Sequence, residues 1–320
     1  MKPGLMQQTL TAMLYFRKAG RFTVRNIQFF FLTALLGTNA CSRVEDQQLD
    51  LVKTPPDAVI QLVKNRVPDA TIIKVSPVVP GKVWLGVTYS ASKVHHLAVS
   101  RKALLLHVSS SALPQDIGNL IQGLDFPYGV FGETRQVQDP VNPEYREFQT
   151  VYVVKGERFL VTSKPDPVKV GYIDINMHPR AYSQFVSTDF DDLPSGIQQL
   201  PVSRSEFQSV TLTEEGNGVV FQLQFRDGIL EVNDHLEVLY SDLGGDTTDV
   251  ARADLPVQIS EWIGSNPPPA ALGDFSCRLF RFGGEKGYRV VFQNETQKLH
   301  LFFDISGKLR YQYFTASIPA

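Results

Sequence analysis

Leu255-Pro-Val-Gln-Ile-Ser-Glu-Trp-Ile263, then Tyr288-Arg-Val-Val-Phe292, then Leu299-His-Leu-Phe-Phe-Asp-Ile-Ser-Gly-Lys-Leu309, run in succession near the end of the chain. In the first stretch Ile259, Trp262 and Ile263 recur at helical spacing. Pro256 suits a first helical turn, where its missing N–H would have had no partner. Pro267-Pro268-Pro269 ends the helix. The period then changes to two: Tyr288, Val290 and Phe292, next Leu299, Leu301 and Phe303, next Leu309, Tyr311 and Tyr313. Asp304-Ile-Ser-Gly-Lys308 supplies a turn.

The same order recurs upstream. Proline openings stand at Pro55-Pro56, Leu113-Pro114 and Leu193-Pro194. Val59, Leu62, Val63 and Val67 share a helical face, as do Ile117, Leu120, Ile121 and Leu124. The helix after Pro194 is cut short by Pro201. Alternation follows again at Val83, Leu85 and Val87, and at Val219, Phe221, Leu223 and Phe225. The expected fold class is α+β, in tandem units, each an N-terminal helix packed on one face of a roughly four-stranded antiparallel sheet. The boundaries read as 54–110, 111–188, 189–249 and 250–320. The third unit is degenerate and the second divergent.

Before Glu45 there is no acidic residue, but Lys2, Arg17, Lys18, Arg21 and Arg25 precede the apolar run Ile27–Gly37. A basic stretch, a short apolar stretch and small residues follow the order of a secretory signal. The run is shorter than the ~20 apolar residues that span a bilayer. Residues 1–40 therefore read as a signal peptide and 41–53 as a tether. Thr38-Asn-Ala-Cys41 resembles a bacterial lipobox, which implies lipidation of Cys41 and attachment to a membrane of the periplasm or outer membrane. An ordinary cleaved signal, with a soluble secreted product, is the alternative.

Composition narrows the partners. Hydrophobic residues make up 43 % of the chain and charged residues 20 %, enough apolar surface for a core. Without residues 1–40, 26 basic residues stand against 33 acidic ones, a balance of −7. That disfavours nucleic acid. Once Cys41 is lipidated, Cys277 has no cysteine to pair with and reads as a small buried hydrophobe. There is no glycine-rich phosphate loop, no His-Glu-x-x-His, no Gly-x-Ser-x-Gly and no cysteine pair for zinc. The expectation is a non-enzyme with no cofactor and no metal. A dispersed hydrolase site is a rival reading, as is an envelope lipoprotein of structural or stress-related role without a tight partner.

If alternation marks the buried face, the intervening residues look outward. These are Trp84, His96 and His107 in the first unit, and Arg289, His300, Phe302, Arg310 and Gln312 in the fourth. Pairing Val99 with Leu104 sets His96 against His107, with His95 on the other face. Pairing Phe303 with Leu309 sets Phe302 against Arg310 and His300 against Gln312. Aromatic and arginine side chains on an open sheet suit a protein partner.

The proline-led helix, the Val67-Pro-Asp-Ala70 stretch, the Gly287-Tyr-Arg-Val-Val-Phe292 strand and the Leu301-Phe-Phe-Asp-Ile-Ser-Gly-Lys-Leu309 hairpin resemble the PepSY-like, β-lactamase-inhibitor-like family of exported bacterial proteins. The likeness is best over Leu255 to Gln312 and fair over Pro55 to Val108. It implies PepSY-like units, a cell-envelope location and a binding role, and it carries no catalytic residue.

Overall fold

Pro56, Pro114, Pro194 and Pro256 each stand immediately before a helix: α1 Asp57–Arg66, α2 Gln115–Gln122, α3 Ser195–Gln198 and α4 Val257–Ser265. The first amides of a helix lack partners, so proline there forfeits nothing. The computed structural model describes residues 55–320 except 140, 143, 144, 217 and 246, with backbone alone at 72 and 73. The segments read as signal peptide and tether, with Cys41, lie outside the described residues. Among the described residues, no helix is long and apolar enough to cross a membrane.

The strands follow the helices. After α1 come β1 Thr71–Val79, β2 Val83–Ser90, β3 Lys93–Ser100 and β4 Leu104–Ser111. After α2 come β5 Val130–Val137, β6 Phe148–Val154, β7 Glu157–Pro165, β8 Tyr172–Pro179 and β9 Ala181–Ser187. After α3 come β10 Phe207–Glu215, β11 Gly218–Phe225, β12 Gly228–Asn233, β13 Val238–Ser241 and the short β14 Thr247–Asp249. After α4 come β15 Asp274–Phe282, β16 Glu285–Gln293, β17 Gln297–Asp304 and β18 Leu309–Pro319.

These strands do not make tandem helix-on-sheet units, and the expected fold class is corrected here. Thirteen of them form one antiparallel sheet in the order β1 to β8, then β18, β17, β16, β15 and β14. The other five form a second sheet, β13-β12-β11-β10-β9. Two joints fuse what periodicity alone separates. Val108 to Ser111 of β4 pair with Val137 to Thr134 of β5. Phe314 to Pro319 of β18 pair with Met177 to Tyr172 of β8. A strand edge left bare would expose unpaired N–H and C=O groups, and joining sheets edge to edge satisfies them.

Both faces of the large sheet are largely covered, so most of the face expected to be bare is buried. Over β6–β8 and β15–β18, one face is apolar and packs beneath α2 and α4. Ile117, Ile121, Ile259 and Ile263 meet Ile175, Phe292, Leu301, Phe303 and Phe314 there. Over β2–β4, α1 covers Trp84, Leu97 and Val99 through Val59 and Val63. The opposite sides of those strands, Val83, Leu85, Ala98, Leu106 and Val108, join a core with Phe185, Leu212, Phe221 and Leu223 of the small sheet. The small sheet thus has the β2–β4 region on one face. Its other face meets the large sheet through Val220 and Tyr240, against Phe280, Phe302, Tyr311 and Tyr313.

Two β-bulges reset the register of the hairpins read from the sequence. Val99 does pair with Leu104, but Leu105 is an extra residue, and Ala98 pairs with Leu106 and Leu97 with His107. Phe303 does pair with Leu309, but Arg310 is extra, and Phe302 pairs with Tyr311 and His300 with Tyr313. Each bulge slips the strand by one residue, and a slip of one exchanges the faces. His107 therefore meets His95, at 3.0 Å between Nδ1 of His95 and Nε2 of His107, rather than His96.

Candidate functional site

The two sheets face each other across an unusually polar layer. From the large sheet come Gln149, Thr162, Asn176 and His178, with Tyr313 and Thr315 further along. From the small sheet come Gln184, Thr211 and Gln222. These positions alternate with the apolar residues beneath α2 and α4, because side chains point to opposite faces along a strand. They line a cavity of about 410 Å³, within the ~300–1,000 Å³ of typical ligand clefts. Leu105, Leu106 and Phe185 give it an apolar wall, and Glu147 and Lys164 bring one charge of each sign.

Hydrogen bonds organise the cavity floor. Gln184 donates to His178 Nε2 at 3.0 Å and to Thr213 Oγ1 at 3.1 Å. The neutral His178 ring then carries its proton on Nδ1 and donates it to the Tyr311 hydroxyl at 2.8 Å. Burial holds His178 down to about 4, so the ring is neutral at ordinary pH. Tyr313 donates to Glu231 Oε1 at 3.1 Å, and the Gln222 amide donates to the same oxygen at 2.9 Å. Burial raises the Glu231 carboxyl. Gln149, a residue of the cavity lining, is 1 % exposed, and its buried Oε1 has no hydrogen-bond partner. A buried acceptor left unmade costs about 1–3 kcal/mol.

The residues expected on open sheet faces are distributed differently. Trp84 is 1 % exposed and lies beneath α1. His96 pairs across strands with Val87 and Val108, and its Nε2 lies 3.6 Å from Glu133 Oε1. The nearby His96 ring, aided by hydrogen bonds from Arg135, holds the Glu133 carboxyl down to about 2 against burial. His107 is buried and accepts from Arg66 Nε at 2.9 Å, while its other nitrogen meets His95. Burial and the Arg66 charge hold His107 down to about 4. With Arg66 on one ring nitrogen and His95 on the other, this pair offers a metal no lone pair, and no metal-binding cluster occurs among the described residues.

Arg289, His300 and Phe302 do come together, but inside the layer between the sheets. The Arg289 guanidinium lies 4.5 Å from the Tyr240 ring centroid and 3.1 Å from His300 Nδ1. His300 stacks on Tyr313 with 4.5 Å between centroids. Phe302 is fully buried against Tyr240, Tyr311 and Tyr313. Arg310, thrown outward by its bulge, pairs with Asp304 at 2.8 Å and reaches Glu237 at 3.6 Å. Gln312 lies on the helix-covered face, at a second, mostly apolar cleft of about 760 Å³ beside Phe126, Trp262 and the Pro267–Pro269 turn.

Sequence reading missed Gln149, Thr162, Asn176, His178, Gln184 and Gln222. The signal was present: Phe148-Gln-Thr-Val, Leu160-Val-Thr-Ser, Ile173-Asp-Ile-Asn-Met-His and Val220-Phe-Gln-Leu-Gln each carry polar residues in strand interiors. No protein-family model, curated protein or solved structure matches the chain.

Proposed function

We propose that this chain is an exported, lipid-anchored cell-envelope protein that binds a small molecule between its two sheets, without chemistry. Export and anchoring rest on the basic stretch, the Ile27–Gly37 run and the lipobox-like Thr38-Asn-Ala-Cys41. The single observation that carries the binding role is the polar cavity between the sheets, lined by amide and hydroxyl side chains from both of them. A sheet interface serving stability alone would be apolar, as the layer beneath α2 and α4 is. Both His178 nitrogens are engaged, by Gln184 and by Tyr311, which leaves that imidazole no free base for catalysis.

Native mass spectrometry of the gently purified chain tests this. A retained small-molecule mass increment is expected in the wild type, and its loss in Thr211→Phe or the milder Asn176→Leu, each checked for folding by circular dichroism. Bare protein mass in the wild type, or an increment that survives both variants, contradicts the reading. Anchoring is tested separately: fatty-acid labelling should occur in the wild type and vanish in Cys41→Ala.

A further inference from the structure

We infer that the ligand of the cavity between the sheets is an uncharged polyhydroxylated molecule of the saccharide class. This rests on the binding reading above and adds the chemistry of what is bound. Most of the polar side chains that line the space are amides and hydroxyls, among them Gln149, Thr162, Asn176, Gln184, Gln222 and Tyr313. An amide presents a donor and an acceptor on one rigid plane, and a hydroxyl can serve as either. Vicinal hydroxyls on a ligand are likewise donor and acceptor at every position, so each can complete a bond with such a wall whichever way its proton points. Gln149 is oriented in that wall by donation from its Nε2 to the main-chain carbonyl of Gln184, and its buried Oε1 has no hydrogen-bond partner.

Charge argues in the same direction. Lys164 and Glu147 both line the cavity, one charge of each sign, and together select neither sign. The neutral His178 contributes a polar ring without a charge. An ionised ligand would lose its hydration and meet a like charge beside the one counter-charge, whereas burying an ion without net compensation costs several kcal/mol. Leu105, Leu106 and Phe185 form the remaining wall, an apolar surface for the C–H face of a pyranose ring. A site built to hydrogen-bond hydroxyls discriminates strongly against analogues lacking them, because its buried polar atoms are then left unpaired.

NMR titration of the isotope-labelled full chain tests the class with four probes: maltose and chitobiose as neutral saccharides, succinate as a dianion and putrescine as a dication. A saccharide is expected to shift the side-chain amide signals of Gln149, Asn176, Gln184 and Gln222. Gln149→Leu should weaken its binding about tenfold, and Asn176→Leu, which leaves Gln149 in place, gives a second measure should the first variant unfold. Shifts with succinate or putrescine alone would overturn the saccharide class and leave the cavity reading standing. Absence of shifts with every probe, in a protein that still carries a native-mass increment, would also overturn it. Absence of both shifts and increment would remove the binding reading as well.

Discussion

Trp84 shows how one residue changes meaning with its surroundings. On an open sheet it would anchor a partner, but beneath α1 it is core packing. Trp84→Ala is accordingly expected to destabilise the fold by about 3–5 kcal/mol in urea unfolding. Titratable residues inside the fold make opposed predictions. His178 is held down to about 4, below its unfolded value, so the folded chain binds fewer protons and stability falls as pH drops from about 6.5 to 4. His178→Gln should remove on the order of 2–3 kcal/mol of that acid-side loss. Glu215 runs the other way. Burial pushes its carboxyl up to about 7, so its contribution is intact below about 4.5 and is lost as pH rises through about 7. Glu215→Gln should flatten the neutral side of the profile, read as the urea midpoint from pH 4 to pH 8.

At the scale of elements, the helices and the first pairs beside two turns, Val99 with Leu104 and Phe303 with Leu309, were legible, and the pairing beyond them was not. Proline followed by apolar residues at helical spacing marks α1, α2 and α4, because both signals are local. The bulges at Leu105 and Arg310 were hidden, since an extra residue beside a turn leaves no mark on composition. Each one reassigns partners along the rest of its strand, which is why His96 and His107 were matched and His95 was set aside. One misreading was avoidable. Val83-Trp-Leu-Gly-Val87 is apolar at nearly every position, the pattern of a strand buried on both sides. Gly287 makes a separate element-scale prediction. It lies in β16 where an added Cβ would stand 2.6 Å from the Phe303 carbonyl and 2.7 Å from the Phe280 ring. Gly287→Ala should cost about 2–3 kcal/mol, seen as a lowered thermal midpoint.

At the scale of the molecule, residues Val52–Ala320 form one unit in which the small sheet is covered on both faces. Cys277 reports on that unit. It is 3 % exposed, and burial pushes its thiol up to about 12. In Cys41→Ala protein, a thiol reagent should modify Cys277 only at the rate of unfolding. The joining of strands β8 and β18 escaped sequence reading because nothing local records which edges will meet across such a separation. The polar layer escaped it for the same reason, since a polar residue in a strand reads as solvent-facing until a second sheet is known to lie over it. The most direct measurement is a side-chain NOE experiment between the sheets. Gln222 Nε2 lies 3.5 Å from the Tyr313 hydroxyl, so its amide protons should show NOEs to the Tyr313 ring. A Gln222 amide exchanging at the solvent rate, with no such NOE, would contradict the polar layer between the sheets and the site built on it.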